Sequence, residues 1–155
     1  MTTPPIVCAT DFSSDSEAAL LWAAAQAEKD DAPLILLHVV HDPASTPGFY
    51  HKLDAEWLRP MEEVAEEMFA EFLENMRQRH PEAAGLERIE TRLVTGLPSG
   101  RICEVADEVG AGLIVVGSRG RTGFPHVMLG SVAQRVAQVS VAPVTVVKTR
   151  AGDTK

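Results

Sequence analysis

The chain has little of several residue types that mark special classes of protein. It contains two cysteines in 155 residues and an aromatic fraction of 5%, so it is not a disulfide-stabilised scaffold. No apolar run reaches the roughly 18 residues that a membrane span requires. Basic side chains number 14 against 22 acidic ones, for a formal charge of −8. That surplus argues against nonspecific binding to nucleic acid or to anionic membranes.

What is present is typical of a globular protein. Hydrophobic residues make up 45% of the chain and charged residues 23%, and the length suits a single domain over residues 1–155, with a polar tail at 149–155. Met1–Pro5 has no basic region followed by an apolar stretch, so we expect a cytoplasmic protein. Cys8 and Cys103 are expected to be small buried hydrophobes.

Apolar runs alternate with helical patterns along the chain, and this predicts an α/β fold. The runs are continuous, which indicates strands of a parallel sheet with helices on both faces. A capping box at Ser14 and Glu17 predicts the start of the first helix, and an amphipathic pattern follows residue 54. The segment His41–Asp54 has no periodicity and is predicted to be a loop. The predicted strands are Ile6–Thr10, Leu34–Val40, Leu86–Thr95, Leu113–Val116 and Val144–Val147.

The glycine-rich segment Gly117–Ser131 is the most informative part of the sequence. Its pattern is Gly, two residues, Gly, nine residues, Gly-Ser, and it lies between the end of a buried strand and the start of a helix. Glycines let backbone approach a ligand closely, and successive N–H groups can form an anion-binding concavity beside a helix N-terminus. The Ser131 hydroxyl could either cap that helix or donate to a phosphate. The segment therefore predicts a phosphate-binding site.

Two better-known phosphate motifs do not fit this segment. A P-loop requires Gly-Lys-Ser/Thr, and the chain has no lysine between Lys52 and Lys148. The dinucleotide fingerprint G-x-G-x-x-G differs from the spacing G-x-x-G-x-x-G found here. A glycine-rich loop that only turns the chain is the alternative reading of the glycines alone.

The sequence resembles the universal stress proteins over nearly its whole length. The Gly-x2-Gly-x9-Gly-Ser spacing resembles that of the ATP-binding branch of the family. One departure is Gly112, where family members often have an acidic residue just before the fourth strand. The similarity is carried by the segments Ile6–Ser13, Gly96–Pro98, Leu113–Gly123, Gly130–Val132 and Ala142–Val144.

The resemblance implies a single open parallel sheet of five strands in the order 3-2-1-4-5, and a nucleotide site in the crevice between strands 1 and 4. It implies ATP as the ligand, with Mg or Mn held through the phosphates. Asp11 would face the ribose or the metal, unless it is only a turn or cap residue. Val39 would offer backbone hydrogen bonds to adenine. The residues implied to line the site are Asp11, Val39, Gly117, Arg119, Gly120, Gly130, Ser131 and Val132.

Some polar residues near this segment have two open interpretations. Arg119 and Arg121 could pair with phosphates or be solvated loop arginines. His38 is read as a packed strand histidine more readily than as a ligand, and His126 could reach the nucleotide.

The resulting hypothesis is an ATP-binding stress-response protein with a regulatory role. The sequence shows no nucleophile–base pair and no phosphate lysine, so no catalytic residue and no metal-ligating residue is assigned. The alternatives are a slow ATPase or other nucleotide-dependent enzyme, and a dimeric scaffold that works without nucleotide.

The last strand, Val144–Val147, is β-branched throughout and uncharged. In the implied order it lies at the sheet edge, where an unpaired strand invites association. We therefore expect a homodimer formed through Val144–Val147. The alternative is that the tail Thr149–Lys155 folds back over the edge within one chain.

Overall fold

Five parallel strands form one sheet in the order β3-β2-β1-β4-β5, which confirms the predicted topology. The computed structural model describes residues 3–41, 55–118 and 129–149. Register pairs Ile6 of the first strand with Leu34 on one side and with Leu113 on the other. The strands are β1 (Ile6–Ala9), β2 (Leu34–His41), β3 (Ile89–Gly96), β4 (Leu113–Gly117) and β5 (Val144–Val147).

In the described residues, four α-helices and one 3-10 helix connect the strands. The helices are α1 (Ser14–Asp30), α2 (Ala55–Arg79), α3 (Pro98–Val109) and α4 (Ser131–Val139), and the 3-10 helix is Ala84–Arg88. In the described parts of the chain, no helix combines the length and apolarity that crossing a bilayer demands.

Successive residues of the central strands point into two separate cores, one on each face of the sheet. Ile6, Cys8 and Val115 pack with α1, α2 and the 3-10 helix. Val7 and Ile114 pack with α3 and α4. Because both faces are covered, neither set of alternating residues can be polar, and this explains the continuous apolar runs in the sequence.

Three local expectations were wrong in detail. The N-cap of α1 is Ser13, whose side chain accepts a hydrogen bond from Ser16 N, so the helix is capped one residue before the predicted Ser14. The segment predicted to begin a strand at Leu86 is a 3-10 helix. The sheet explains this difference, because the pairing of β3 with β2 begins at Ile89 opposite Leu34.

The third difference concerns the cysteines. Cys8 is fully buried in β1 as expected, and burial raises the pKa of its thiol to about 12. Cys103 is only partly buried on α3. Its thiol pKa is also raised, first by burial and then by the neighbouring Asp107 carboxylate. Both thiols are therefore poor nucleophiles near neutral pH.

The alanine-rich face of α1 permits a close approach by the 3-10 helix. A Cβ added at Gly85 would lie 2.5 Å from the backbone oxygen of Ala24. Because that oxygen belongs to the backbone, no side-chain rotation can relieve the clash. Gly100 on α3 offers a matched comparison, because nothing lies within 4 Å of its would-be Cβ.

We predict that Gly85→Ala lowers the free energy of unfolding by about 2–3 kcal/mol, because the added methyl group overpacks the core. Gly100→Ala should raise it by about 0.5 kcal/mol, because alanine restricts the unfolded chain. Urea unfolding followed by circular dichroism measures both. Equal effects of the two substitutions would contradict the close packing of Gly85 on Ala24.

Candidate functional site

In open α/β sheets, ligands bind beyond the carboxyl ends of the strands where the strand order reverses, which here is the crevice between β1 and β4. β1 continues into α1 on one face of the sheet, and the chain beyond β4 leads to α4 on the other face. Two connecting segments that leave adjacent strands toward opposite faces of the sheet open a crevice at the strand ends. The crevice is bounded by the turn after β1, the end of β2, and the start of α4.

The turn between β1 and α1 is held by a compact set of polar contacts. Asp11 Oδ1 accepts hydrogen bonds from Ser13 N at 3.0 Å and from Ser16 Oγ at 2.6 Å. Ser16 Oγ in turn accepts from Asp11 N at 3.0 Å. Asp11 therefore acts as a turn residue that fixes the start of α1, which is one of the two roles considered for it. Its place at the crevice leaves the ligand-facing role as a proposal.

Phe12 occupies the strained position of this turn. Its φ is 68°, a left-handed conformation that is costly for a residue with a bulky side chain. Thr10 Oγ1 accepts a hydrogen bond from Phe12 N at 3.0 Å. The Phe12 ring lies 4.3 Å from the His38 ring and 5.5 Å from the Phe72 ring, measured between centroids. Packing and hydrogen bonding together offset the backbone strain.

His38 is a half-buried strand residue packed against this turn, as the sequence suggested. Its Nδ1 donates to the backbone oxygen of Thr10 at 2.8 Å, which fixes the protonated ring nitrogen because a carbonyl oxygen can only accept. The imidazole thus links β2 to the last residue before the turn.

Val39 presents its backbone to the crevice. Leu37 O accepts a hydrogen bond from Thr10 N at 2.8 Å, so the polar groups of Leu37 face β1. Along a strand, the backbone N–H and C=O groups of every second residue point toward the same neighbouring strand. The backbone groups of Val39 therefore point toward β1, as those of Leu37 do. At the level of Val39, however, β1 has ended and the chain has turned at Asp11. The Val39 side chain is buried on the face of α3 and α4.

Gly117, at the end of β4, has a packing reason to be glycine. A Cβ at this position would meet the backbone carbon, the oxygen and the Cβ of Asp15, each at 3.0 Å. The next residue, Ser118, donates from its Oγ to Asp15 Oδ2 at 3.3 Å. The missing side chain of Gly117 therefore lets the first turn of α1 rest directly on the end of β4.

The start of α4 lies beside the end of β4. Gly130 is the N-cap, without a side-chain capping hydrogen bond, and its N–H donates to Ser118 O at 2.6 Å. Ser131 is the first residue of the helix, so it is not the capping residue. Ser131 and Val132 are exposed, and their N–H groups belong to the first turn, which has no acceptors within the helix.

The structure thus brings most of the predicted site residues to one edge of the sheet: Asp11, Val39, Gly117, Gly130, Ser131 and Val132. The remaining predicted residues, Arg119 and Gly120, lie outside the described residues, as do Arg121 and His126. Within the described ranges, no group of three or more His, Cys, Asp or Glu side chains is placed to hold a metal ion.

Sequence reasoning missed Asp15 and Ser118. Asp15 is 3% exposed although it is an aspartate in the first turn of a helix. Acidic residues are common at that position because of the helix dipole, so nothing in the sequence marked it as buried. The one available signal for Ser118 was its position directly after the buried strand β4.

Comparison with known proteins gives consistent results. A sequence profile of the universal stress protein family matches residues 3–148. A curated universal stress protein from Mycolicibacterium smegmatis is 34% identical over 146 residues, which cover 94% of this chain and 46% of that protein. The chain spans about half the length of the first curated relatives that it matches.

Solved structures show the same architecture. A universal stress protein in complex with cAMP superposes with a TM-score of 0.69 at 28% identity, covering 97% of this chain and all of that one. The universal stress protein from Archaeoglobus fulgidus in complex with dAMP gives a TM-score of 0.65 at 27% identity, with 96% and 100% coverage.

We predict that the two roles of Asp11 can be separated by substitution. Asp11→Ala removes the acceptor of two hydrogen bonds at the turn, and should lower the free energy of unfolding by about 1–2 kcal/mol. Asp11→Asn keeps an Oδ1 acceptor and should cost much less. Thermal or urea unfolding of both variants measures the difference. A turn that does not depend on Asp11 would give equal, small losses for the two variants.

Proposed function

Since the chain belongs to the universal stress protein family, we propose that it is an adenine-nucleotide-binding regulatory protein whose ligand is ATP. The observation that carries the proposal is the geometry of the crevice. The backbone of Val39 is directed outward at one side of the crevice, and the start of α4, whose N-cap Gly130 makes no side-chain hydrogen bond, lies at the other.

The adenine ring is assigned to the end of β2. A purine edge offers a donor and acceptors in one plane, and a strand backbone whose neighbour has ended offers the complementary groups. Val39 meets this description, because its peptide groups point past the end of β1. Backbone recognition of this kind needs no particular side chain, so it fits a position occupied by valine.

The phosphates are assigned to the start of α4. The N–H groups of the first helical turn and the positive end of the helix dipole favour an anion. Gly130 leaves that end open, because it has no side chain to fold back as a cap. Arg119 and Gly120 belong to the same proposed loop. Mg or Mn would be held through the phosphates.

The two solved relatives that hold cAMP and dAMP support the choice of an adenine nucleotide. A regulatory role is preferred to catalysis because no acid–base pair or nucleophile was found in the sequence. Steady-state hydrolysis of ATP distinguishes the alternatives, since typical enzymes turn over at roughly 1–10³ per second. A rate in that range would favour the enzyme, and nucleotide-free function would favour the scaffold.

We predict that Gly130→Val abolishes ATP binding and leaves the fold intact. Gly130 has φ −61° and ψ 154°, an extended conformation that valine adopts readily, while its branched side chain would crowd the helix start. Isothermal titration calorimetry with ATP, dAMP and cAMP measures the effect, and circular dichroism checks the fold.

The matched control for this prediction is Ser140→Val. Ser140 is the C-cap of the same helix, with φ −62° and ψ 138°, so the same side chain is introduced in a similar conformation at the opposite end. ATP affinity should be unchanged. Equal ATP affinity of the wild type and Gly130→Val would rule out the phosphate assignment.

We also propose that two copies of the chain associate through β5. Among the described strands, β5 lies at the sheet edge and pairs with β4 alone, and all of its residues are partly exposed. Val139 and Val141 are exposed nearby, Val141 by 89%. Pairing of β5 with its two-fold copy would hydrogen-bond the free N–H and C=O groups of the edge strand. Because a two-fold contact uses the same surface on both subunits, the assembly would end at a dimer.

We predict that Val146→Pro dissociates this dimer without unfolding the subunit. Ser118 N donates to Val147 O and Ile114 N donates to Pro143 O, so odd-numbered residues of this segment face β4. The N–H of Val146 therefore points outward, and proline at that position removes an edge donor only. Light scattering across a concentration series measures the mass.

Thr145→Pro is the contrasting variant, because it removes an N–H that faces β4 and should destabilise the subunit itself. A wild-type chain that is monomeric at tens of micromolar would rule out the β5 dimer. So would a dimer that survives Val146→Pro.

A further inference from the structure

Asp15 is a buried carboxylate that connects segments far apart in the sequence. It lies in the first turn of α1 and is 3% exposed. Its Oδ2 accepts from Ser118 Oγ at 3.3 Å, and its Oδ1 accepts from Thr149 Oγ1. The two partners follow β4 and β5 respectively. One side chain thus holds the ends of two strands against the start of a helix.

Ser118 is the residue through which this contact reaches Gly130 at the start of α4, where the phosphates are proposed to bind. Its backbone N donates to Val147 O at 2.9 Å, and its backbone O accepts from Gly130 N at 2.6 Å. Ser118 therefore touches β5, the N-cap of α4 and Asp15 at the same time. A shift of Ser118 would displace the start of α4 and the end of β5 together.

Thr149 extends the connection to the chain after β5. It lies two residues beyond Val147, is half-buried, and bonds to α1 through Asp15. The first residue of the predicted tail is thus directed onto α1. This fixes the direction in which the chain leaves the edge strand.

The neighbouring acid of the same helical turn shows that burial of Asp15 is specific. Glu17 also lies in the first turn of α1, but it pairs with Arg79 at the end of α2, and its side chain is 31% exposed. Both acids can interact with the helix dipole. Asp15 alone of these two contacts the strand ends at the crevice.

We propose that Asp15 is a positioning residue that couples nucleotide binding at the start of α4 to the conformation of β5 and Thr149. The proposal rests on the proposed function, because it assigns the phosphates to the same start of α4. A nucleotide that orders Ser118 and Gly130 favours the arrangement in which Asp15 also holds Thr149. By linkage, whatever fixes Thr149 strengthens nucleotide binding by the same factor.

Thr149→Val is the sharpest test, because it removes one hydroxyl donor to Asp15 while keeping the side-chain shape and the net charge. ATP affinity should fall about fivefold, at the lower end of the coupling found between linked sites. Hydrogen exchange should show that ATP protects Val144–Thr149 in the wild type and that this protection is lost in Thr149→Val. In the absence of nucleotide, the Gly130 amide should exchange faster in the variant.

Two controls separate coupling from a general loss of stability. Ser140→Ala also removes a hydroxyl hydrogen bond next to β5, the one from Ser140 Oγ to Ala142 O at 2.9 Å, but at the opposite end of the strand. Glu17→Gln neutralises the other acid of the same turn. Both variants should bind ATP like the wild type.

A double-mutant cycle tests whether Thr149 acts through Asp15. In an Asp15→Ala background, Thr149→Val should cause no further loss of affinity, because the shared contact is already gone. If Asp15→Ala does not fold, Ser118→Ala takes its place in the cycle. The losses of ATP affinity caused by Ser118→Ala and Thr149→Val should then not add in the double variant.

The outcomes distinguish this inference from the proposed function. A wild type that binds ATP, together with Thr149→Val that binds equally and exchanges Gly130 equally, overturns the coupling and leaves the nucleotide site intact. A wild type that binds no adenine nucleotide overturns the proposed function. In that case, unchanged Gly130 exchange in Thr149→Val also overturns the positioning role of Asp15.

Discussion

The close contact between Gly117 and the first turn of α1 is the constraint from which the architecture of the crevice follows. Asp15 backbone and Cβ atoms lie where a side chain of residue 117 would be, so α1 can begin directly above the end of β4. This brings the turn after β1 and the chain after β4 side by side. A Cβ at residue 117 would lie 3.0 Å from these Asp15 atoms, so a larger residue would require α1 or β4 to shift by a few tenths of an ångström.

That approach requires an abrupt turn after β1, and the turn carries strain. Phe12 adopts a left-handed backbone conformation, and conformations of this kind persist only where surrounding contacts enforce them. Here the enforcing contacts are the hydrogen bonds of Thr10 and Asp11 and the aromatic packing with α2. The strain therefore lies next to the crevice and is offset by residues of the turn itself, of β2 and of α2.

Backbone groups, more than charged side chains, shape the described part of the crevice. The chain carries a formal charge of −8, and a buried carboxylate, Asp15, lies beside Ser118. An anion held here would have to be favoured by local dipoles against that charge. The first turn of α4 supplies such dipoles, and their effect falls off within a turn of the helix. The proposed phosphate position is correspondingly close to Gly130.

The sequence by itself determined the succession of strands and helices along the chain and the two-sided burial of the sheet. These features follow from apolar runs and helical spacing, which act between neighbours along the chain. The strand order in the sheet, and with it the crevice at which Asp11, Gly117 and Gly130 meet, was implied by resemblance to a family, and the structure confirmed that order. Tertiary structure alone decided that Asp15 is buried, that Gly117 is glycine for packing, and that Val39 directs its backbone past β1. Those facts depend on contacts between residues far apart in the sequence, such as Asp15 and Ser118 at a separation of 103 positions, which no local pattern encodes.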